Sequence, residues 1–228
     1  MDMSSLWRTP DRGTVRDIAL VCLADALVGA SFGAIAVSGG LDPWAPIAMS
    51  LLVFAGGAQF AAVGVVLSGG GPAAAVTAGL VLNARLLPFG FAVAETLGGR
   101  RLTRLTGAHL VTDEAVAFTL RQADADRRRV VFWLCGACLF VSWNAAVAVG
   151  ALAGRSLGDP GALGLDAAFP AVLLALVLPA LRNRDACVPA LLGAVIAVAA
   201  APFLPAGLPV LAALAGAAGW RVAEGRRR

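Results

Sequence analysis

The 228-residue chain has no lysine, no tyrosine and one histidine, His109, and only 14% of its residues are charged. A soluble domain carries roughly 25% Asp, Glu, Lys and Arg, so this shortage excludes an ordinary water-facing surface. Nor is there a metal-ligand spacing, a phosphate loop or a dinucleotide fingerprint anywhere in the chain; no metal and no cofactor is expected. The four cysteines, Cys22, Cys135, Cys138 and Cys187, all fall in apolar stretches, where thiols act as small hydrophobes rather than as a disulfide framework. Every one of the 18 basic residues is arginine, and the net charge of +4 sits in loops and at the C-terminus instead of along one face, which argues against a nucleic-acid groove. What the chain does have is apolar residues: 59% of the total, with a mean hydropathy of +0.83. The bilayer is the solvent that suits such a composition.

A helical crossing needs about 20 mostly apolar residues. Charge and Gly/Pro punctuation cut the chain into seven such runs, at 18–37, 43–67, 72–94, 130–152, 165–181, 186–203 and 208–222. Residues 1–17 form a polar N-terminal segment without the basic-then-apolar order of a cleavable signal, and residues 223–228 form a basic tail. Backbone groups in hydrocarbon must be paired within their own segment, so each crossing is expected to be helical. The predicted fold class is an all-α integral membrane protein with about seven transmembrane helices. Between the third and fourth runs, residues 95–129 read as a cytoplasmic loop, in which 105–120 forms an amphipathic or partly re-entrant helix.

Arginine placement orients the chain. With the N-terminus outside, thirteen arginines face inside, seven of them in 95–129, while Arg8, Arg12, Arg16 and Arg155 face outside and Arg85 lies within a span. An N-out, C-in topology follows. Gly40-Leu41-Asp42-Pro43-Trp44-Ala45-Pro46 and Gly164-Leu165-Asp166-Ala167-Ala168-Phe169-Pro170 both read G-L-D-x-x-x-P. Three crossings separate them, so they face opposite sides, as an inverted repeat of three plus three helices with an extra C-terminal helix requires.

Polar side chains at membrane depth are the candidates for chemistry. Asp25 lies in the first run, where an ionised Asp costs about 2.5 to 3.5 kcal/mol on insertion scales. It either pairs with Arg85 and locks helices together, or binds a substrate ammonium group or a coupling proton. Gly29-Ala30-Ser31-Phe32-Gly33 fits a close helix–helix seam and also matches the nucleophile-elbow pattern of a serine hydrolase. In the second run, Gly56 and Gly57 precede Gln59, with Phe54 and Phe60 on either side. Each glycine weakens a helix by roughly 1 kcal/mol relative to alanine, and a break there would offer the positive end of a half-helix to a substrate carboxylate. Asn83 and Arg85 interrupt the third run; Arg85 could clamp a carboxylate or neutralise Asp25. Asn144, beside Trp143, is a further polar group in the fourth. Asp113, Glu114 and His109 read most simply as a solvated helix face, since adjacent helical residues point about 100° apart and do not form a dyad. Asp113, Glu114, Asn144 and Asp166 are candidates for coupling or gating. A channel or uncoupled facilitator for small polar solutes could be lined by the same Asp and Arg.

The succession Gly29-x-x-Phe32-Gly33, Met49-Ser50, Val53-Phe54-Ala55-Gly56-x-Ala58-Gln59-Phe60, Asn83-x-Arg85, Asp113-Glu114 and Leu165-Asp166-x-x-Phe169-Pro170 resembles the AzlC family of branched-chain amino-acid exporters. The resemblance runs from about residue 17 to residue 222. It implies a permease of the bacterial inner membrane that exports valine, leucine and isoleucine, not an enzyme, working as the large subunit beside a small hydrophobic subunit of the AzlD type. Where many relatives place an aromatic residue or histidine after the N-x-R arginine, this chain has Leu86.

Overall fold

A computed structural model of the protein describes residues 10–156, 174, 178, 181–182, 184–204, 209 and 212–213. Asp166, with the second G-L-D-x-x-x-P copy, lies outside the described residues, as do most of 165–181 and 208–222. The helices are α1 (Arg12–Ser38), α2 (Trp44–Leu52), α3 (Gly56–Leu67), α4 (Pro72–Asn83), α5 (Leu86–Ala92), α6 (Arg101–His109), α7 (Asp113–Leu120), α8 (Ala125–Gly154) and α9 (Arg184–Ala200), with a 3-10 turn at Ala94–Leu97. No strand occurs among the described residues. Among the described residues, three stretches are long and apolar enough to cross a membrane: Arg12–Ser38, Pro72–Ala92 and Ala125–Gly154. The protein is an all-α membrane protein.

The chain divides into two compact units, one of Met1–Gly56 with Asn83–Gly158, the other of Gly57–Leu82 with Asp159–Arg228. The first unit is organised by α1 against α8. Both begin with an aspartate cap: the Asp11 carboxylate accepts from the Thr14 N–H at 2.7 Å, and the Asp124 carboxylate accepts from the Arg127 N–H at 3.3 Å. Their contact is made by small residues. A Cβ on Gly33 would overlap the Val147 carbonyl, and one on Gly150 would overlap the Ala30 carbonyl, so the two main chains touch where glycine allows it. The approach is looser at Gly154, where a Cβ would lie 3.0 Å from the Ala34 carbonyl oxygen. Phe32 and Trp143 fill the same seam, stacked at 6.2 Å. Leu20, Leu23 and Leu27 of α1 and Val141, Val149 and Leu152 of α8 point outward and are exposed, where acyl chains rather than water can cover them.

Two of the predicted spans are not continuous helices. The 43–67 run stops at Leu52 and resumes at Gly56, leaving Val53 to Ala55 non-helical. The glycine pair therefore starts α3 instead of interrupting it. The 72–94 run stops at Asn83 and resumes at Leu86. Here Pro88 supplies the cause: it has no N–H to donate to the carbonyl of residue 84, and its ring crowds that carbonyl. The turn is closed instead by the Leu87 N–H on the Ala84 carbonyl at 3.2 Å.

Residues 95–129 also depart from expectation. They form α6, α7 and the start of α8, and Ala115, Val116, Phe118 and Thr119 of α7 are buried. That helix is packed into the first unit, not laid on its surface. The second unit buries Ala58, Gln59, Phe60, Ala62, Val63 and Val65 of α3 and Ala75 and Ala78 of α4.

Candidate functional site

The α2–α3 break is held from below by aromatic residues. Phe54, 7% exposed, turns its ring onto Phe140 of α8 at 5.2 Å edge-on and lies 6.3 Å from His109. His109 and Phe140 are themselves 5.6 Å apart, a spacing at which edge-to-face aromatic contacts are favourable. His109 is thus part of an aromatic cluster and not of a solvated face. Two residues on, Gly56 rests on Trp143, whose Cη2 would be 2.8 Å from any Cβ placed there. The indole Nε1 of Trp143 is buried and has no hydrogen-bond partner among the described residues. A glycine is needed at 56 because the α8 tryptophan occupies the space of a side chain.

Below the same break, Ser50 of α2 is fully buried and donates its hydroxyl to Asn144 Oδ1 at 2.5 Å. The Asn144 amide nitrogen donates to the Phe140 carbonyl at 2.8 Å. Asn144, which the sequence marks as a polar group in the fourth run, therefore ties α2 to α8.

The α4–α5 break carries charge. Arg85, in the turn, pairs with Asp113 of α7 at 3.0 Å, with side chains 54% and 40% exposed. The pairing with Asp25 weighed from sequence is not the one formed. Asp113 and Glu114 occupy the first turn of α7, where the helix dipole favours acids, and Thr112 caps that helix by accepting from the Ala115 N–H at 3.1 Å. Asp25, partly buried in α1, makes no ion pair among the described residues; Glu114 is the charged group that acts on it, and the charge is of like sign. Such a neighbourhood is suited to a cation.

In the second unit, Gln59 and Phe60 are 1% and 0% exposed in the first turns of α3, with Gly57 ahead of them. Ser31 lies in the middle of α1, its hydroxyl donated to the Leu27 carbonyl at 2.9 Å. It is on a continuous helix and not on a strand-to-helix elbow, so the hydrolase pattern there is a packing seam.

A family model described as AzlC protein matches residues 20–157. The chain belongs to the AzlC family. No curated protein and no solved structure shows significant similarity to it. The matched region runs from within α1 to the end of α8 and includes Asp25, Ser50, Arg85, Asp113, Glu114 and Asn144. It also contains both helix breaks, so the AzlC segment is where apolar helices and intramembrane polar residues coincide. AzlC membership and the apolar helices together make this a protein of membrane transport.

Proposed function

We propose that the chain is the large subunit of a two-component permease that exports branched-chain amino acids across a bacterial inner membrane, with a small hydrophobic AzlD-type subunit as its partner. The observation that carries the reading is the interruption at Val53 to Ala55, immediately before Gly56. The first-turn N–H groups of a helix have no partner within it and carry its positive end, which suits the carboxylate of a zwitterion; Arg85 is the second cation for that role. Asp25 and Glu114 offer negative charge to the ammonium group, with Asn83 as a further polar contact and Phe54 as an apolar one for the branched side chain. Seven crossings arranged as three plus three with an extra C-terminal helix, N-terminus out and C-terminus in, would let two halves rock about this site. Proton coupling would use Asp113, Glu114, Asn144 or Asp166.

Efflux of radiolabelled valine from preloaded cells tests the proposal. Efflux should depend on the proton gradient and fall at least about tenfold in Asp25→Asn and in Arg85→Gln, the loss expected when a charged contact worth about 1.4 kcal/mol or more is removed. Equilibration indifferent to the gradient would make the protein a facilitator, and full efflux in both variants would move the site elsewhere.

A further inference from the structure

A groove of about 660 Å³ lies on the first unit between α5, the 3-10 turn and α6. Its lining is mostly apolar and includes the exposed Leu87, Phe91 and Leu105, and Arg101 and Arg104 line it too. Gly90 faces it with open space where a side chain would be. The volume is that of a small-ligand site, yet its walls are those of a surface bathed in hydrocarbon.

The charge at this groove is one-sided. Arg101 and Arg104 are a turn apart on α6, and neither forms an ion pair or a side-chain hydrogen bond among the described residues. Arg100 adds a third cation at the helix start, where no acid occupies the first turn. Cations at the N-terminal end of a helix oppose its dipole, so this arrangement is unfavourable until an anion joins it. The only carboxylate between residues 86 and 112 is Glu95. One flank of α6 is packed: a Cβ on Gly107 would come within 2.7 Å of Leu97 Cδ2 and 3.5 Å of Trp133 Cη2, while Arg101 and Arg104 are exposed and line the groove.

We infer that this groove binds a membrane phospholipid with an anionic head group, its phosphate held by Arg101 and Arg104 and an acyl chain lying on Leu87, Phe91 and Leu105. Basic pockets beside membrane helices have the charge and depth such lipids require. The site is independent of the transported substrate.

The test uses the full chain, purified in neutral detergent, stripped of lipid and titrated with phosphatidylglycerol or with phosphatidylcholine of the same acyl chains, bound lipid being counted by native mass spectrometry. With each arginine contributing about fivefold, wild type should prefer the anionic lipid by about 25-fold. R101Q/R104Q should bring the two lipids level, whereas Arg155→Gln, at the far end of α8, should keep the preference. Gly90→Leu, which fills the groove and leaves both arginines, should weaken both lipids and serves as the deciding variant if the double substitution does not fold. Equal binding of the two lipids by wild type, a preference that survives R101Q/R104Q, undiminished binding in Gly90→Leu, or full displacement by millimolar inorganic phosphate would each overturn the inference. So would a small membrane subunit that co-purifies only when Gly90 is intact and excludes lipid, because the groove would then belong to a protein.

Discussion

The α1–α8 seam and the two helix breaks are built from similar residues and solve opposite problems. Along the seam, Gly33 and Gly150 bring main chain against main chain in two unbroken helices of 27 and 30 residues. At the breaks, the non-helical stretch Val53 to Ala55 and the constraint of Pro88 end helical continuity and bring Phe54, Asn83 and Arg85 to the termini of short helices. In a bilayer, van der Waals packing of small residues is what holds helices together. Irregular backbone is tolerated only where protein or water surrounds it. The seam is therefore the frame, and the breaks are the places the frame can spare for polar work.

The sharpest way to break this contrast is to put a side chain into the seam. Gly33→Leu forces atoms into the Val147 carbonyl and should cost more than the 1 to 3 kcal/mol of ordinary overpacking, so that little monodisperse protein survives size-exclusion chromatography. If the variant is recovered and melts normally, the seam is not the frame.

A smaller effect is expected at the break. Gly56→Ala meets only the edge of Trp143, a side chain that can shift, so folding should survive at a cost of about 1 to 2 kcal/mol while valine efflux drops. Adding Trp143→Phe should recover part of both, because the smaller ring frees that space. A loss of efflux that Trp143→Phe leaves untouched would mean that Gly56 acts through its backbone freedom instead.

Next in size is Asn144→Leu. It deletes the bond from buried Ser50 and should lower thermal stability by about 0.6 to 1.7 kcal/mol, the range of interhelical polar contacts in membranes, without unseating the seam. An unchanged melting temperature would make that link dispensable.

The smallest effect belongs to the cap of α1. The Thr14 N–H, with its hydroxyl, holds the Asp11 carboxyl below the ordinary carboxylate range. A carboxylate with a lowered pKa stabilises the fold above its unfolded value of about 3.9 and loses that contribution as pH falls through the lower folded value. Asp11→Ala or acidification should therefore speed hydrogen exchange at Thr14 and Val15 and leave α8 amides unchanged.

Much of this was legible in advance for a reason that differs from residue to residue. The apolar runs at 18–37 and 130–152 are visible because lipid tolerates few other compositions, and they lie within α1 and α8. The glycine pair at 56–57 signalled a break in the second run, although the chain opens three residues earlier, where Phe54 finds His109 and Phe140. The break at 84–85 had a signal that the reading did not use, Pro88, whose consequence falls four residues upstream. The burial of α7 had none: its hydrophobic residues could equally face a membrane surface, and only its neighbours decide.

What the sequence determined by itself is the solvent and the class, since a chain so poor in charge has to satisfy its backbone inside helices. It also placed the polar residues at depth and carried the family's motifs in order. Which of those residues meet was decided by tertiary structure alone. Arg85 finds Asp113 rather than Asp25, Asn144 finds Ser50, and Trp143 takes the space Gly56 leaves. Charge and hydrogen-bonding partners depend on distances of a few ångströms between segments tens of residues apart, and local composition carries no record of those distances.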